Sequence, residues 1–254
     1  MWLYKSGSSE VPAVLYEYHA SRAGDVPKAF LKNYQGVVVT DGYKGYDFLN
    51  AVESIVHAGC WAHARRKFAD VIKAAGKKNP SGNAGTALKF ISKLYKIEKN
   101  ARENNISHEE LYSIRQEESR PLIDNFKKWL DSKIEKIPPT SLLGKAVNYT
   151  IGQWNKLTPF LQDGRIPMDN NTAENAIRPF VIGRKNWLFS CTPEGARASA
   201  TLYSLIETAK ANKLEPYWYL KYLFEHLPEA MVVDDFKALL PHNLDNTIIQ
   251  KPPG

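Results

Sequence analysis

From about Asp70 to Leu161 the apolar residues recur at helical spacing, and this long block most constrains the fold. Leu88, Ile91, Leu94 and Tyr95 share one face. Ser107 with Glu110 is a capping-box pattern that opens the next helix. Pro121 is expected to break or bend that helix, and Leu122, Phe126, Trp129 and Leu130 continue the stripe beyond it. Thr140 or Ser141 caps a helix carrying Leu143, Val147, Ile151 and Trp154, and Asp163-Gly164 marks a turn.

The residues before this block read as short strands and helices. Met1 to Tyr4 is an apolar run ended by Lys5-Ser6-Gly7-Ser8-Ser9, and Val14 to His19 is a second strand, so the pair predicts an antiparallel hairpin. Asp25 is placed to cap a helix over Val26 to Tyr34. Val37-Val38-Val39 is a continuous β-branched run, the pattern of a strand covered on both faces, and it stops at Thr40-Asp41-Gly42. Tyr46 to Leu49 is a helical turn. Ser54 to Ala58 is a strand that leads into the basic helix Cys60-Trp61-Ala62-His63-Ala64-Arg65-Arg66-Lys67-Phe68.

Beyond the block, Asn170 to Trp187 holds a short helix with Glu174 in its first turn. Ala198, Leu202, Leu205, Ile206 and Ala209 form one apolar stripe. A last helix opens at Pro216 with Tyr217, Leu220, Phe224 and Leu227, and Pro228 ends it. The plan is an α/β core interrupted by a helical insertion and followed by a helical tail, in segments 1–69, 70–161, 162–213 and 214–254.

With 254 residues the chain can hold one large domain or two small ones. Lys and Arg number 34 against 27 Asp and Glu, a net charge of +7 that suits a polyanionic partner and equally a merely soluble basic protein. Two cysteines are too few for a disulfide framework and fit a reducing cytoplasm. Neither a secretory signal nor a membrane-length apolar run is visible.

Two carboxylates stand out. Asp41 ends a strand, where open α/β sheets place their sites, and Glu174 shares a helix face with Arg178 opposite Ala173, Ala176, Ile177 and Phe180. Acids from separate elements that converge on divalent cations would serve phosphoryl transfer on a polyanion. Structural roles fit these residues as well. Thr40-Asp41-Gly42 is a good turn, Asn171 with Glu174 matches a capping box, and Glu174 with Arg178 matches an intrahelical ion pair.

The stretch from Asn170 to Trp187, with Leu188-Phe189-Ser190, Gly195-Ala196 and Glu207 to Asn212, resembles the catalytic region of the insertion-sequence-66 family of bacterial transposases. So do Thr40-Asp41-Gly42-Tyr43-Lys44-Gly45-Tyr46 and Cys60 to Phe68, and Leu214 to Leu220 resembles that family's C-terminal segment. The resemblance implies a ribonuclease-H-like core with an Asp-Asp-Glu triad, in which Asp41 is the second aspartate and Glu174 the glutamate. It implies Mg2+ or Mn2+, hydrolysis at transposon ends, and attack of the freed 3′-hydroxyl on target DNA. Transposon ends and target DNA are then the partners, together with a second copy or an intact transposase.

The family's first aspartate lies on a first core strand that this chain is expected to lack, since neither Glu10 nor Glu17 occupies its place. That strand is central in the order 3-2-1-4-5. On this reading the chain is a truncated transposase, defective alone, and the alternative is a non-catalytic DNA-binding or regulatory remnant. A nuclease of the same fold is a third, less well matched reading.

The remaining candidates are weaker. His57, Cys60 and His63, spaced by threes, resemble a zinc set without an evident fourth ligand. In the family comparison Cys60 and His63 support the site, as Asn171 and Asn175 do beside Glu174. Arg65, Arg66, Lys67, Arg178, Arg184 and Lys185 are candidate phosphate contacts or solvated helix faces. Trp187 and Phe189 are candidates for base stacking or for the core, and Asp169 for a substitute ligand.

Overall fold

A computed structural model describes residues 1–7, 11–76, 82–188 and 190–249. In chain order the strands and first helices are β1 (Trp2–Lys5), β2 (Val14–Glu17), α1 (Asp25–Phe30), β3 (Gly36–Val39), β4 (Ile55–Ala58), α2 (Trp61–Ala74) and α3 (Gly82–Glu103). Then follow α4 (His108–Ile114), α5 (Arg120–Ile134), α6 (Leu142–Gly152), α7 (Trp154–Leu157), α8 (Asn171–Trp187), α9 (Pro193–Ala211), α10 (Pro216–His226) and α11 (Val233–Ala238). The chain divides into two compact units, Ala23–Asn171 and Met1–Arg22 with Thr172–Gly254. No helix among the described residues is long and apolar enough to cross a membrane.

In the unit Ala23–Asn171, β3 and β4 pair in parallel, with Val37 opposite Val56 and Val39 opposite Ala58. The sheet has only these two strands among the described residues, so Val37, Val38 and Val39 are half-buried rather than covered on both faces. Val37 and Val39 pack on a core built by α2, α3, α5 and α6 around Trp61, Phe68, Ile91, Phe126, Leu130 and Val147. Helix α1 starts one residue earlier than its cap predicts: Gly24 is the N-cap without a side-chain bond, and Asp25 lies inside the first turn. It ends at Phe30, short of Tyr34. The Ser107–Glu110 capping box is present, and Ser141, not Thr140, caps α6 by accepting from Gly144 N at 3.0 Å.

Pro121 does not end its helix. A π-turn over Arg115–Ser119 joins α4 to α5 and places Pro121 in the first turn of α5, where its missing N–H matters least. The turn aims Arg115 inward until it is 1% exposed. Its Nε and Nη2 donate to the Glu98 carboxylate at 2.8 and 2.7 Å, and its Nη1 donates to the Phe160 and Asp163 carbonyls at 2.6 and 2.8 Å.

In the other unit, β1 and β2 form the expected antiparallel pair, with Trp2 opposite Glu17 and Lys5 opposite Val14. Helix α9 runs along β2 and presents small residues to it. The predicted stripe is displaced accordingly: Leu202 is exposed and Ala198 lies at the surface, while Ala196, Ala200, Ser204 and Ala209 are buried. Ser204, Thr208 and Asn212, one helical turn apart, then complete the hydrogen bonds of the strand. Tyr16 N donates to Ser204 Oγ at 2.8 Å, and Val14 N donates to Thr208 Oγ1 at 3.0 Å. Thr208 Oγ1 returns a bond to Val14 O at 3.0 Å, and Asn212 Nδ2 donates to Pro12 O at 2.8 Å. A helix thus stands where a neighbouring strand would satisfy the edge. Thr208→Val keeps the side-chain shape and deletes both bonds, so it should cost about 1–3 kcal/mol in urea unfolding. A change within about 0.5 kcal/mol, the range of an ordinary surface substitution, would contradict this account.

Helix α10 also turns a different face inward from the one predicted. Tyr219 and Leu223 are buried with Leu214, Leu239 and Ile249, whereas Tyr217, Phe224 and Leu227 are exposed. It is not the last helix, because α11 follows.

Candidate active site

Asp41 lies two residues beyond the end of β3, and Thr40 N continues the ladder by donating to Ala58 O at 2.9 Å. The chain then turns on the Asp41 side chain, whose Oδ1 accepts from Tyr43 N at 2.9 Å. The turn reading and the ligand reading are therefore compatible, because this bond fixes the direction of the carboxylate. Gly42 leaves room for the Tyr149 hydroxyl from α6, which a Cβ at this position would push aside. Burial raises the pKa of that phenol, with Cys60 and Asp41 adding to the rise and Arg66 opposing it. Tyr149 is thus a neutral donor within electrostatic reach of Asp41, and nothing in the sequence beyond the glycine hints at it.

Thr40 and His57 are the buried polar groups behind this turn. His57 Nε2 lies 2.8 Å from Thr40 Oγ1 and Nδ1 lies 2.9 Å from Asn50 Oδ1. Burial, and then Lys156, push the imidazole down to about 4, so it is neutral near pH 7. With both ring nitrogens engaged, His57 is not available to the zinc set suggested by its spacing from Cys60 and His63.

Cys60 precedes α2, and its Sγ accepts from Asn170 N at 3.2 Å. Burial pushes the thiol up, so it is a protonated packing group that ties the strand exit to the segment leading into α8. Trp61 strengthens the tie by donating its backbone N–H to Met168 O at 3.1 Å and its indole N–H to Leu157 O at 2.7 Å. His63 is half-buried one turn further on. Arg65, Arg66 and Lys67 are exposed on α2, with Arg65 over the Tyr95 ring and Lys67 over the Tyr149 ring at 5.9 and 5.4 Å. Asp169 is already occupied: Tyr95 Oη donates to Oδ2 at 3.0 Å, and Asn171 donates N to Oδ1 at 3.1 Å and Nδ2 to Oδ2 at 2.7 Å. Asp169 therefore braces the start of α8, and this role leaves little for it as a substitute ligand. Asn171 spends its side-chain amide on that brace.

Glu174 belongs to the other unit and is half-buried on the first turn of α8. The helix is longer than predicted and runs through Pro179 to Trp187. Ala176, Ile177 and Phe180 pack against Val14, Tyr16 and Tyr203, as the periodicity required, and the Tyr16 hydroxyl donates to Ala176 O. Asn175, Arg178, Arg184 and Lys185 are exposed on the outer side. Trp187 is half-buried with its ring 5.4 Å from Phe180, which makes it part of this packing rather than a free stacking platform. Phe189 lies outside the described residues. Asp41, Tyr149, Cys60 and Arg66 lie in one unit, with the Tyr149 hydroxyl against Gly42, and Glu174 lies with the α8 cations in the other.

The model of the Transposase IS66 family matches residues 1–198, and that of the IS66 C-terminal element matches residues 204–242. The chain belongs to the IS66 transposase family. Three uncharacterized proteins of Sinorhizobium fredii are similar to it. The protein y4hP is 33% identical over 245 residues, 92% of this chain and 44% of its own length. For y4qI the identity is 29% over 255 residues, 96% of this chain and 46% of the relative, and for y4jD it is 33% over 239 residues, 91% and 46%. The chain spans less than half the length of these relatives. No solved structure matches it significantly.

Proposed function

We propose that this IS66-family chain contributes the chemistry of DNA transposition, metal-assisted strand cleavage followed by strand transfer, on a ribonuclease-H-like core. Asp41 and Glu174 are its metal-holding carboxylates. The observation that carries the reading is Asp41 itself: a family match that includes both acids, and a carboxylate at the end of a parallel strand, half-exposed and aimed by Tyr43 N. One antiparallel and one parallel strand pair are the kinds of pairing such a core combines.

The donor set suits the cofactor, since carboxylate oxygens are hard ligands of the kind Mg2+ and Mn2+ prefer. When bound, such ions polarise the scissile phosphate and stabilise the attacking and leaving oxygens. The residues of the chain do the rest. Asp41 is held in direction by its turn, and the Tyr149 phenol packed against Gly42 keeps its proton. Arg65, Arg66 and Lys67 on α2, and Arg178, Arg184 and Lys185 on α8, present exposed cations to phosphates. Cys60 and His63 support the strand exit from which Asp41 is held, and Asn171 and Asn175 flank Glu174.

The logarithm of DNA affinity should fall linearly with log salt. Arg184→Gln with Lys185→Gln should reduce that slope by about 0.9 for each phosphate that is no longer neutralised. Any Mn2+-dependent nicking of supercoiled DNA that the chain supports should disappear in both Asp41→Asn and Glu174→Gln. Nicking that survives both changes would refute the catalytic reading. Salt-dependent binding without any nicking would leave a DNA-binding role alone.

A further inference from the structure

The Thr40–His57 pair, whose ring also meets the exposed Asn50, has no role in the chemistry described above, yet both of its members are buried next to Asp41. Thr40 Oγ1 donates to the backbone carbonyl of Asp41 at 2.8 Å and lies 2.8 Å from His57 Nε2, while His57 Nδ1 lies 2.9 Å from Asn50 Oδ1. The Thr40 hydroxyl thus links the imidazole to the peptide that carries Asp41. Asp41 is gripped on both sides, at its carbonyl through Thr40 and at its Oδ1 by Tyr43 N.

We propose that His57 is a positioning residue for Asp41: through Nε2 and the Thr40 hydroxyl it sets the conformation of the strand end, and hence the aim of the carboxylate toward a divalent cation. This inference rests on the reading of Asp41 as a metal-holding group. Groups that orient a ligand from behind typically change metal affinity about 10–100-fold when removed.

The two ring nitrogens allow a test that a merely structural histidine would fail. His57→Gln places a polar atom near the position of Nε2 and gives up the bond to Asn50. His57→Asn does the reverse and gives up the bond to Thr40. His57→Asn loses the buried bond to Thr40 and His57→Gln the part-buried bond to the exposed Asn50, so the larger loss of thermal stability is expected for His57→Asn and Mn2+ affinity is compared on the folded proteins. Mn2+ alone is titrated into the chain and into both variants, with free Mn2+ followed by electron paramagnetic resonance, and Asp41→Asn is carried alongside. The expected result is affinity within about threefold of the parent for His57→Gln and a loss of about tenfold or more for His57→Asn. If Asp41→Asn weakens binding while the two His57 variants bind alike, the positioning role is wrong and the reading of Asp41 stands. If Asp41→Asn binds Mn2+ as the parent does, the reading of Asp41 fails and takes the proposal with it.

Discussion

Asp41→Asn is expected to lower Mn2+ affinity by more than about 100-fold, beyond the range seen when only a supporting group is removed. The substitution is close to isosteric and keeps an oxygen that can accept from Tyr43 N, the bond that builds the turn at 2.9 Å. Stability should therefore change little, because what is removed is one negative charge and no hydrogen bond of the fold. Asp169→Asn serves as the contrast. Its oxygens already accept from Tyr95 and Asn171, so that change should cost stability at the start of α8 and leave Mn2+ affinity nearly intact. A loss of affinity in Asp169→Asn comparable with that in Asp41→Asn would mean that Asp169 holds the ion as well.

Arg115→Met is expected to give the largest loss of stability, about 3–5 kcal/mol in urea unfolding followed by circular dichroism. Removing the guanidinium leaves the Glu98 carboxylate without its partner and the inward Phe160 carbonyl without a donor, while Asp163 O keeps only its bond from Ile166 N at 3.1 Å. Glu98 keeps 18% of its side chain exposed, which places the expected value toward the lower end of that range. The surface pair Lys127–Asp131 provides the scale: Lys127→Met should cost no more than about 1 kcal/mol. The consequence reaches the proposed chemistry, because Arg115 holds the Phe160–Asp163 segment whose continuation, Ile166 and Met168, is buried in the core on the way to Asn171. An Arg115→Met protein as stable as the parent would show that the π-turn arginine is incidental.

What could be read in the sequence was what is local. The hairpin of β1 and β2, the β3 and β4 runs, the Ser107–Glu110 box and the Ser141 cap each depend on a few adjacent residues, and each is present. The misreadings share another cause, tertiary packing overriding pattern. The large apolar residues Leu202, Tyr217 and Phe224 mark the wrong faces of α9 and α10, since close packing of α9 on β2 selects small and hydroxyl side chains instead. Helix α8 continues through Pro179 because Ala176, Ile177 and Phe180 bury the flanking turns against Tyr16 and Tyr203. At the site, Asp41 was legible as a strand-end acid and Glu174 as a first-turn acid. The interactions of Tyr149, Asn50 and Tyr95 were not, because they come from elements remote in sequence.

The central claim is that the acids at 41 and 174 hold the same divalent ions, and a double-mutant cycle on Mn2+ affinity tests it most directly. Two groups that share a site are strongly coupled, so Asp41→Asn and Glu174→Gln should each weaken binding and the double variant should be scarcely worse than either alone. Losses that simply add, or a Glu174→Gln protein that binds Mn2+ as the parent does, would contradict it.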